Sequence, residues 1–313
     1  MMKKLFTLLA VTIAFTMNAQ MVDNSHSTNN TAGNYSVAMG YNTTAGVDPT
    51  PNPPYPDDVY YATAMGYNTT ASGLQSTAMG SNTTASGSMS IAMGDHTIAS
   101  HTATTAMGSY TTASGNMSTA MGYHTIASGS TSTAMGNHTT ASDYSSLVIG
   151  QYNSSGSSAI SATSFSTSGT AFVIGNGTNE AASDAFKVMF NGDTTVSNDL
   201  TISGDLVVSS DARLKSNIVS LGSTLSRLLL IDGKSYTMKK DGKQKIGVLA
   251  QDIQKVFPEL VTTDDKEMLA VNYQGLVPVL INALKEQQSE IDTYRNVVSE
   301  LKEMVNQLIS SKK

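Results

Sequence analysis

A serine and a lysine five residues apart, Ser210 and Lys215, have types and spacing that suggest covalent chemistry. They lie in the stretch "VSSDARLKSN", which runs from Val208 to Asn217. A serine hydroxyl is a weak nucleophile until a base takes its proton, and a lysine is such a base only when burial or nearby positive charge lowers its pKa. Arg213 is a nearby source of positive charge. Residues five apart on a straight strand face opposite sides, so either the chain turns here or the lysine comes from a neighbouring chain.

The charge of the chain changes abruptly at this serine. Between Gln20 and Ser209, Lys187 is the one basic residue against eleven acidic residues, whereas from Ser210 onward fifteen lysines and arginines accompany thirteen acids. Segments with such different surfaces are expected to be separate domains with different tasks. The acidic segment would repel phosphate backbones, so no nucleic-acid partner is expected.

The N-terminus has the parts of a secretory signal peptide. Lys3 and Lys4 precede an apolar run from Leu5 to Met17, and a cleavage site is expected after Ala19. No later run reaches the roughly 18 apolar residues of a membrane-spanning helix, so we expect a secreted or cell-surface protein without a membrane-spanning segment. The chain has no cysteine, so its stability must come from backbone ladders, core packing and oligomerisation.

The acidic segment is a repeat with a period of fourteen residues. The motif Ala-Met-Gly ends at Gly40, Gly66, Gly80, Gly94, Gly108, Gly122 and Gly136, and a variant ends at Gly150. A proline-rich insertion at residues 47–61 interrupts the register. Alternating Thr, Ala and Met before each glycine, and a second Thr/Ala run after it, predict two short strands per repeat. One such coil has little apolar surface, because its inward residues are expected to be mostly Ala, Met and Ile, so stacking of coils and pairing between chains must supply the core.

Two ladders of side chains along the repeat offer further chemistry. One repeat position holds His96, His124 and His138 but also Asn42, Asn68, Asn82 and Tyr110. A histidine ring in a trimer is a possible metal site, but this exchange favours a polar ladder and no metal. The second ladder consists of threonine pairs, namely Thr69-Thr70, Thr83-Thr84 and Thr111-Thr112. These pairs could present a flat hydroxyl surface to a glycan or to ice, or they could be present simply because threonine favours strands. The second interpretation is preferred.

Residues 33–156 resemble the head repeats of trimeric autotransporter adhesins. The resemblance rests on the regular fourteen-residue units, such as "STAMGSNTTASG" from Ser76 to Gly87. It implies a left-handed parallel β-roll that associates in threes and binds a glycan or a surface protein.

The elements after the repeat are predicted from turn and periodicity signals. Three strands are expected in a β-rich neck, over residues 171–177, 185–197 and 199–209, in a shaft where three chains complete one another's sheets. Beyond them, the spacing predicts a helix over residues 216–231, a hairpin turning at Asp241-Gly242, and a short helix that stops before Pro258.

A heptad repeat follows Asn272. Positions a are Val277, Leu284, Ile291, Val298 and Val305, and positions d are Leu280, Gln287, Tyr294, Leu301 and Leu308. Five heptads favour self-association over an amphipathic helix folded on its own domain. Gln287 is a polar residue that sets the register at one d position.

The C-terminal segment resembles the intramolecular chaperone of endosialidase type, an autoproteolytic domain of phage tailspikes, tail fibres and some secreted bacterial proteins. The resemblance rests on "SDARLKSNI" (210–218), "GVLAQDIQKVFPELV" (247–261) and "LAVNYQGLVPVLINALKEQ" (269–287), in the family's order. It implies that Ser210 and Lys215 form a catalytic dyad and that the chain is cut between Ser209 and Ser210. Asp211, Arg213 and Gln251 lie in these motifs and are the candidate supporting residues.

These observations predict a mainly β N-terminal part followed by a small α+β domain that ends in a coiled-coil helix. The predicted domains are a signal peptide (1–19), a β-roll head (20–156), a β-rich neck (157–209) and the chaperone (210–313) with its coiled coil at 275–310. The predicted function is a secreted, homotrimeric, adhesin-like fibre. Its chaperone assembles three chains and then cleaves itself off in a single turnover, without cofactor or metal.

Two other functions use the same chaperone. A polysaccharide depolymerase needs paired carboxylates or arginines facing acidic sugars. The head has no arginine, and Asp57-Asp58 is its one close acidic pair, so no turnover activity is expected there. A prophage tail fibre is disfavoured because such fibres assemble in the cytoplasm, which conflicts with the signal peptide.

Overall fold

The computed structural model describes residues 30–33, 35–46, 61–264 and 267–311. Within it the chain divides into two compact units, with the boundary between Asp205 and Leu206. The predicted signal peptide and the insertion up to residue 60, with Asp57-Asp58, lie outside the described residues.

The first unit is a parallel β-solenoid, as the period of fourteen predicts. In each coil a five-residue strand is followed by a two-residue strand, so each repeat forms two strands. The long strands are β2 (Val37–Tyr41), β4 (Thr63–Tyr67), β6 (Thr77–Ser81), β8 (Ile91–Asp95), β10 (Thr105–Ser109), β12 (Thr119–Tyr123), β14 (Thr133–Asn137) and β16 (Leu147–Gln151). The short strands are β1 (Thr31–Ala32), β3 (Thr44–Ala45), β5 (Thr70–Ala71), β7 (Thr84–Ala85), β9 (Ile98–Ala99), β11 (Thr112–Ala113), β13 (Ile126–Ala127) and β15 (Thr140–Ala141).

Equivalent residues of successive coils pair with one another. The short strands form one parallel sheet and the long strands form another, in which Ala106 pairs with Ala92 and Ala120. Because strand side chains alternate between faces, the alanines of the long strands, such as Ala106, point inward and are fully buried, while Thr105 and Met107 stay partly exposed. The expectation that methionine and isoleucine also point inward is wrong, since the strand methionines and isoleucines are partly or fully exposed. Alanine is small enough for the two sheets of a coil to approach closely.

Three further strands follow at the C-terminal end of the solenoid. Strand β17 (Thr170–Asn176) pairs parallel to β16, and β18 (Asp184–Met189) and β19 (Thr194–Val196) follow antiparallel. The buried carboxylate of Asp143 accepts backbone hydrogen bonds from Ile160, Ser161 and Thr170. Asp184 accepts two more, from Ser154 and Ser155. These two carboxylates hold the connection between β16 and β17 in place.

The strand predicted over residues 199–209 does not form within the single chain, and its pairing between three chains stays a prediction. Residues 199–209 contain no strand, and their apolar side chains, among them Leu200 and Val207, are exposed. A strand needs a neighbour for its backbone hydrogen bonds, and none of the sheets in the described chain includes these residues.

Buried hydroxyls form a second column inside the solenoid. The first threonine of each Thr pair, such as Thr69, Thr83 and Thr111, is fully buried, so the idea of a flat surface made by both threonines is wrong. Among the described residues, most of these hydroxyls have no hydrogen-bond partner, Thr97 Oγ1 included. Thr104 is equally buried, but its Oγ1 donates to the His101 carbonyl at 2.7 Å.

This difference predicts opposite effects for two conservative substitutions. Thr97→Val removes an unpaired buried hydroxyl and should stabilise the full chain by roughly 1 kcal/mol. Thr104→Val removes a formed hydrogen bond and should destabilise it by about 1 kcal/mol. Urea unfolding midpoints of the two variants beside the parent chain measure this difference. Equal shifts of the same sign would contradict the hydrogen-bond assignment.

The second unit contains a short and a long helix joined by small β elements. Helix α1 (Leu225–Leu228) is followed by the hairpin of β20 (Lys234–Thr237) and β21 (Gln244–Gly247), which turns at Asp241-Gly242 as predicted. Helix α2 (Ala250–Val256) stops before Pro258, also as predicted. Strands β22 (Val261–Thr263) and β23 (Leu269–Val271) form a second hairpin, and helix α3 (Leu276–Ser311) ends the described chain.

The helix predicted over residues 216–231 is wrong except for its last part. Asn217 and Gly222 have φ of 52° and 67°, in the left-handed region, which a right-handed helix cannot contain. The helix begins instead after Thr224, the N-cap residue of α1. Ser223-Thr224 before an apolar run is a helix-start signal that outweighs the apolar spacing upstream.

The core of the second unit is small. Ile253, Phe257, Leu260 and Val279 form its buried cluster. In α3 the buried residues are Val279 and Ala283, both near its beginning. The rest of α3 exposes its apolar side chains, including Ile291, Val298 and Leu301. A helix with so many unpaired apolar residues is stable in water only when it packs against something else, so this unit is suited to self-association.

Candidate functional site

A single tight turn brings Ser210 and Lys215 together. Residues 212–214 form one turn of 3₁₀ helix, for which Asp211 is the N-cap. The Asp211 carboxylate accepts a hydrogen bond from the Arg213 backbone N–H at 2.8 Å, and the Lys215 N–H donates to the Ala212 carbonyl at 3.1 Å. The turn reverses the chain, so side chains five positions apart lie on the same side.

The Lys215 Nζ lies 2.7 Å from Ser210 Oγ and donates a hydrogen bond to it. This is the distance needed for proton transfer between a nucleophile and its base. The sequence left open whether a turn or a neighbouring chain brings a lysine to Ser210. In the single chain the turn does so.

The charge of Arg213 is compensated by Asp211. The guanidinium contacts the carboxylate through Nη2 at 2.7 Å and through Nε at 3.1 Å and 3.2 Å. The side-chain bonds from Arg213, and then its backbone N–H, lower the pKa of Asp211, and the carboxylate in turn raises the pKa of Arg213. Both residues therefore act on the shape of the turn, and Arg213 presents no uncompensated charge to Lys215 in the single chain.

The pair lies in water in the single chain. Ser210 and Lys215 are exposed, and exposed apolar side chains flank them on both sides, among them Val207, Leu214 and Val219. Contiguous exposed apolar residues mark a surface that another molecule covers. Gln251 is exposed on α2, and no hydrogen bond joins it to either residue of the pair in the described part of the chain.

Glu286 is a residue that the sequence did not single out. Its carboxylate on α3 accepts hydrogen bonds from Ser223 Oγ at 2.7 Å and from the backbone N–H groups of Thr224 and Leu225 at 2.5 Å and 3.2 Å. These residues lie about sixty positions earlier in the chain, so local sequence patterns carry no signal for the contact. The backbone N–H of Thr224, and then the Ser223 hydroxyl, lower the pKa of Glu286.

The head presents a column of stacked rings at the position two residues after each glycine. His96, Tyr110, His124, His138 and Tyr152 stack face to face, with ring centroids 4.4–4.7 Å apart. Toward the N-terminus, Asn42, Asn68 and Asn82 continue the column through side-chain hydrogen bonds. Burial, and then the charge of His124, lower the pKa of His138. The ladder is therefore aromatic in its C-terminal half and amide in its N-terminal half.

Comparison with protein families agrees with this architecture of a repetitive β head followed by a separate C-terminal unit. The family described as YadA head domain repeat matches residues 60–83, 85–111, 102–125, 113–139 and 127–153. The family described as chaperone of endosialidase matches residues 210–262, a range that begins at Ser210. No curated protein is significantly similar to the chain.

The two matches confirm both resemblances drawn from the sequence. The chain carries adhesin-type head repeats followed by a chaperone domain of a self-cleaving family. Both types of domain are associated with trimers. In the described part of the chain, no helix is long and apolar enough to span a bilayer.

Proposed function

We propose that the protein is a secreted trimeric fibre whose C-terminal chaperone aligns three chains and then cuts itself off between Ser209 and Ser210. The 2.7 Å contact between Lys215 Nζ and Ser210 Oγ is the observation that carries the proposal. The match to the family described as chaperone of endosialidase begins at Ser210, which supports a cut directly before this residue.

The proposed chemistry is an acyl shift followed by hydrolysis. Lys215, in its neutral form, takes the proton of Ser210 Oγ as the oxygen attacks the Ser209 carbonyl carbon. The C–N bond then breaks, and Lys215 returns the proton to the amine of Ser210, which leaves an ester. Water opens the ester and releases Ser209 as a carboxylate. No metal or cofactor takes part in these steps.

Assembly would supply what the single chain lacks. Lys215 is exposed in the single chain, and a lysine becomes a base only when water is removed from around its amine. Neighbouring chains that cover Val207, Leu214 and Val219 would exclude water from the pair. Cutting would then report that three chains have aligned, and the released fibre could unfold only over a kinetic barrier.

The proposed task of the head is binding rather than turnover. The outward residues of the long strands are mostly threonine, methionine and aromatic, and the described head has no paired carboxylates of the kind that glycosidases use. A glycan or a surface protein is the proposed ligand, and the signal peptide is the proposed route to the cell surface.

Breaking the helix seam tests whether cutting depends on assembly. In the double variant Ile291→Asp with Val298→Asp, two charges at exposed a positions would face one another across three helices, so the chains should stay monomeric and uncut. Intact mass spectrometry beside native gels measures both properties. The matched control is Asn296→Asp with Ser299→Asp, which adds the same charge outside the a and d positions and should leave assembly and cutting unchanged. Efficient cutting in the monomeric variant would overturn the coupling.

A further inference from the structure

The segment that carries the Ser–Lys pair has few ties to the rest of its domain. In the described structure residues 206–222 are exposed, and their hydrogen bonds stay within the segment. Examples are the bonds from Leu214 N–H to the Asp211 carbonyl and from Gly222 N–H to Ser220 Oγ. The turn therefore sets the distance between Ser210 and Lys215 but does not set where the pair lies on the domain.

The first tie to the domain is made by Glu286. Its two carboxylate oxygens accept from different donors: Oε1 from the Thr224 N–H and Oε2 from Ser223 Oγ and the Leu225 N–H. The fully buried Thr224 adds a bond from its hydroxyl to the Val279 carbonyl of α3 at 3.1 Å. Lys215 is only eight residues before Ser223, and an extended residue spans at most about 3.5 Å, so this clamp limits where the pair can lie.

Glu286 lies on the helix that aligns the chains but outside its apolar seam. It stands between the a residue Leu284 and the d residue Gln287, at the c position of the heptad. Contacts that hold α3 in place in a trimer therefore also hold the Glu286 carboxylate in place. The carboxylate itself lies outside the a and d positions that form the seam.

We propose that Glu286 is a positioning residue that transmits the alignment of the α3 helices to the Ser210–Lys215 pair. The inference rests on the proposed cleavage function. Glu286 touches neither the scissile bond nor the pair; it holds the peptide that leads from the pair to α1. When three α3 helices associate, the clamp on each one draws its own segment to a defined place beside the neighbouring chains.

Glutamine cannot replace this carboxylate. Two oxygens face backbone N–H donors, and an amide offers one oxygen and one NH₂ group, so one donor would face another donor. The lowered pKa of Glu286 agrees with a charged acceptor at neutral pH. Glu286→Gln should therefore loosen the clamp without changing side-chain size.

The test compares Glu286→Gln with Glu300→Gln in the full chain. Glu300 is at the same c position two heptads further along α3, is exposed and has no hydrogen-bond partner among the described residues, so its variant should assemble and cut like the parent. Glu286→Gln should still form trimers on native gels but should cut at least about tenfold more slowly by intact mass spectrometry, because small misplacements of reacting groups lower rates steeply. Thr224→Val should slow cutting in the same direction, and the double variant should be no slower than the slower single variant.

Amide hydrogen exchange separates positioning from general damage. Measured in the Ser210→Ala background, where no cut occurs, Glu286→Gln should speed exchange at Thr224 and Leu225 and leave the amides of α3 unchanged. If Glu286→Gln is cut at the parent rate, or if exchange at Thr224 is unchanged, the positioning role of Glu286 is overturned while the proposed cleavage function stands. A parent chain that assembles but is not cut before Ser210 would overturn the proposed function, and the positioning role with it.

Discussion

Replacing Ser210 with alanine is expected to give trimers in which every chain keeps its full length. The substitution removes the hydroxyl that attacks the Ser209 carbonyl, so the cleavage rate should fall by at least about a thousandfold, to the level of uncatalysed hydrolysis. Lys215→Met should have the same effect because it keeps the length of the side chain and removes its amine. Intact mass spectrometry would show no fragment running from Ser210 to Lys313, while native gels would still show trimers.

The matched control for this prediction is Ser209→Ala. Ser209 contributes its backbone carbonyl and not its side chain, so this variant should be cut like the parent. Hydroxylamine added during cutting should capture the ester as a hydroxamate at the new C-terminus. Cutting at the same bond in Ser210→Ala would show that another nucleophile attacks, and the assignment of the pair would fail.

Gly108→Ala is expected to disrupt the head. Gly108 lies in the column of glycines at the fourth position of each long strand, and its φ is 122°, a backbone conformation that strains any other residue. A Cβ built there would lie 2.0 Å from the carbonyl oxygen of Gly122 in the next coil. Backbone strain and overpacking each contribute about 1 to 3 kcal/mol, so a loss of at least about 3 kcal/mol is expected.

The control for the glycine prediction is Gly204→Ala. A Cβ at Gly204 meets nothing within 4 Å, so this substitution should leave stability within about half a kcal/mol of the parent. Urea unfolding followed by circular dichroism compares the two variants at equal concentration. A Gly108→Ala chain that unfolds at the midpoint of the parent would contradict the close contact between coils.

Regular repetition made most of the head predictable from its sequence. Alternation within "TAMG" places alanine inward, and a constant step of fourteen puts identical residues opposite one another, so parallel strands and their register followed directly. The Asp241-Gly242 turn and the stop before Pro258 were equally local, since each depends on the backbone preferences of one or two residues.

The errors arose where a local pattern lacked a partner or conflicted with the backbone. The apolar residues from 199 to 209 alternate like a strand, but no second strand of the same chain pairs with them. The apolar spacing from residue 216 resembles a helix, yet Asn217 and Gly222 adopt left-handed conformations. Because threonine suits both faces of a strand, the sequence did not show that the first threonine of each Thr pair is buried.

By itself, the sequence determined the coil and its register and predicted the heptad and the Ser–Lys pair, because each of these depends on residues close together or on a fixed period. Only the tertiary structure decided that a 3₁₀ turn brings Lys215 to Ser210 and that Glu286 clamps Thr224 from across the domain. A contact between residues about sixty positions apart depends on how the helices pack, and packing is a property of the whole fold that no local pattern encodes.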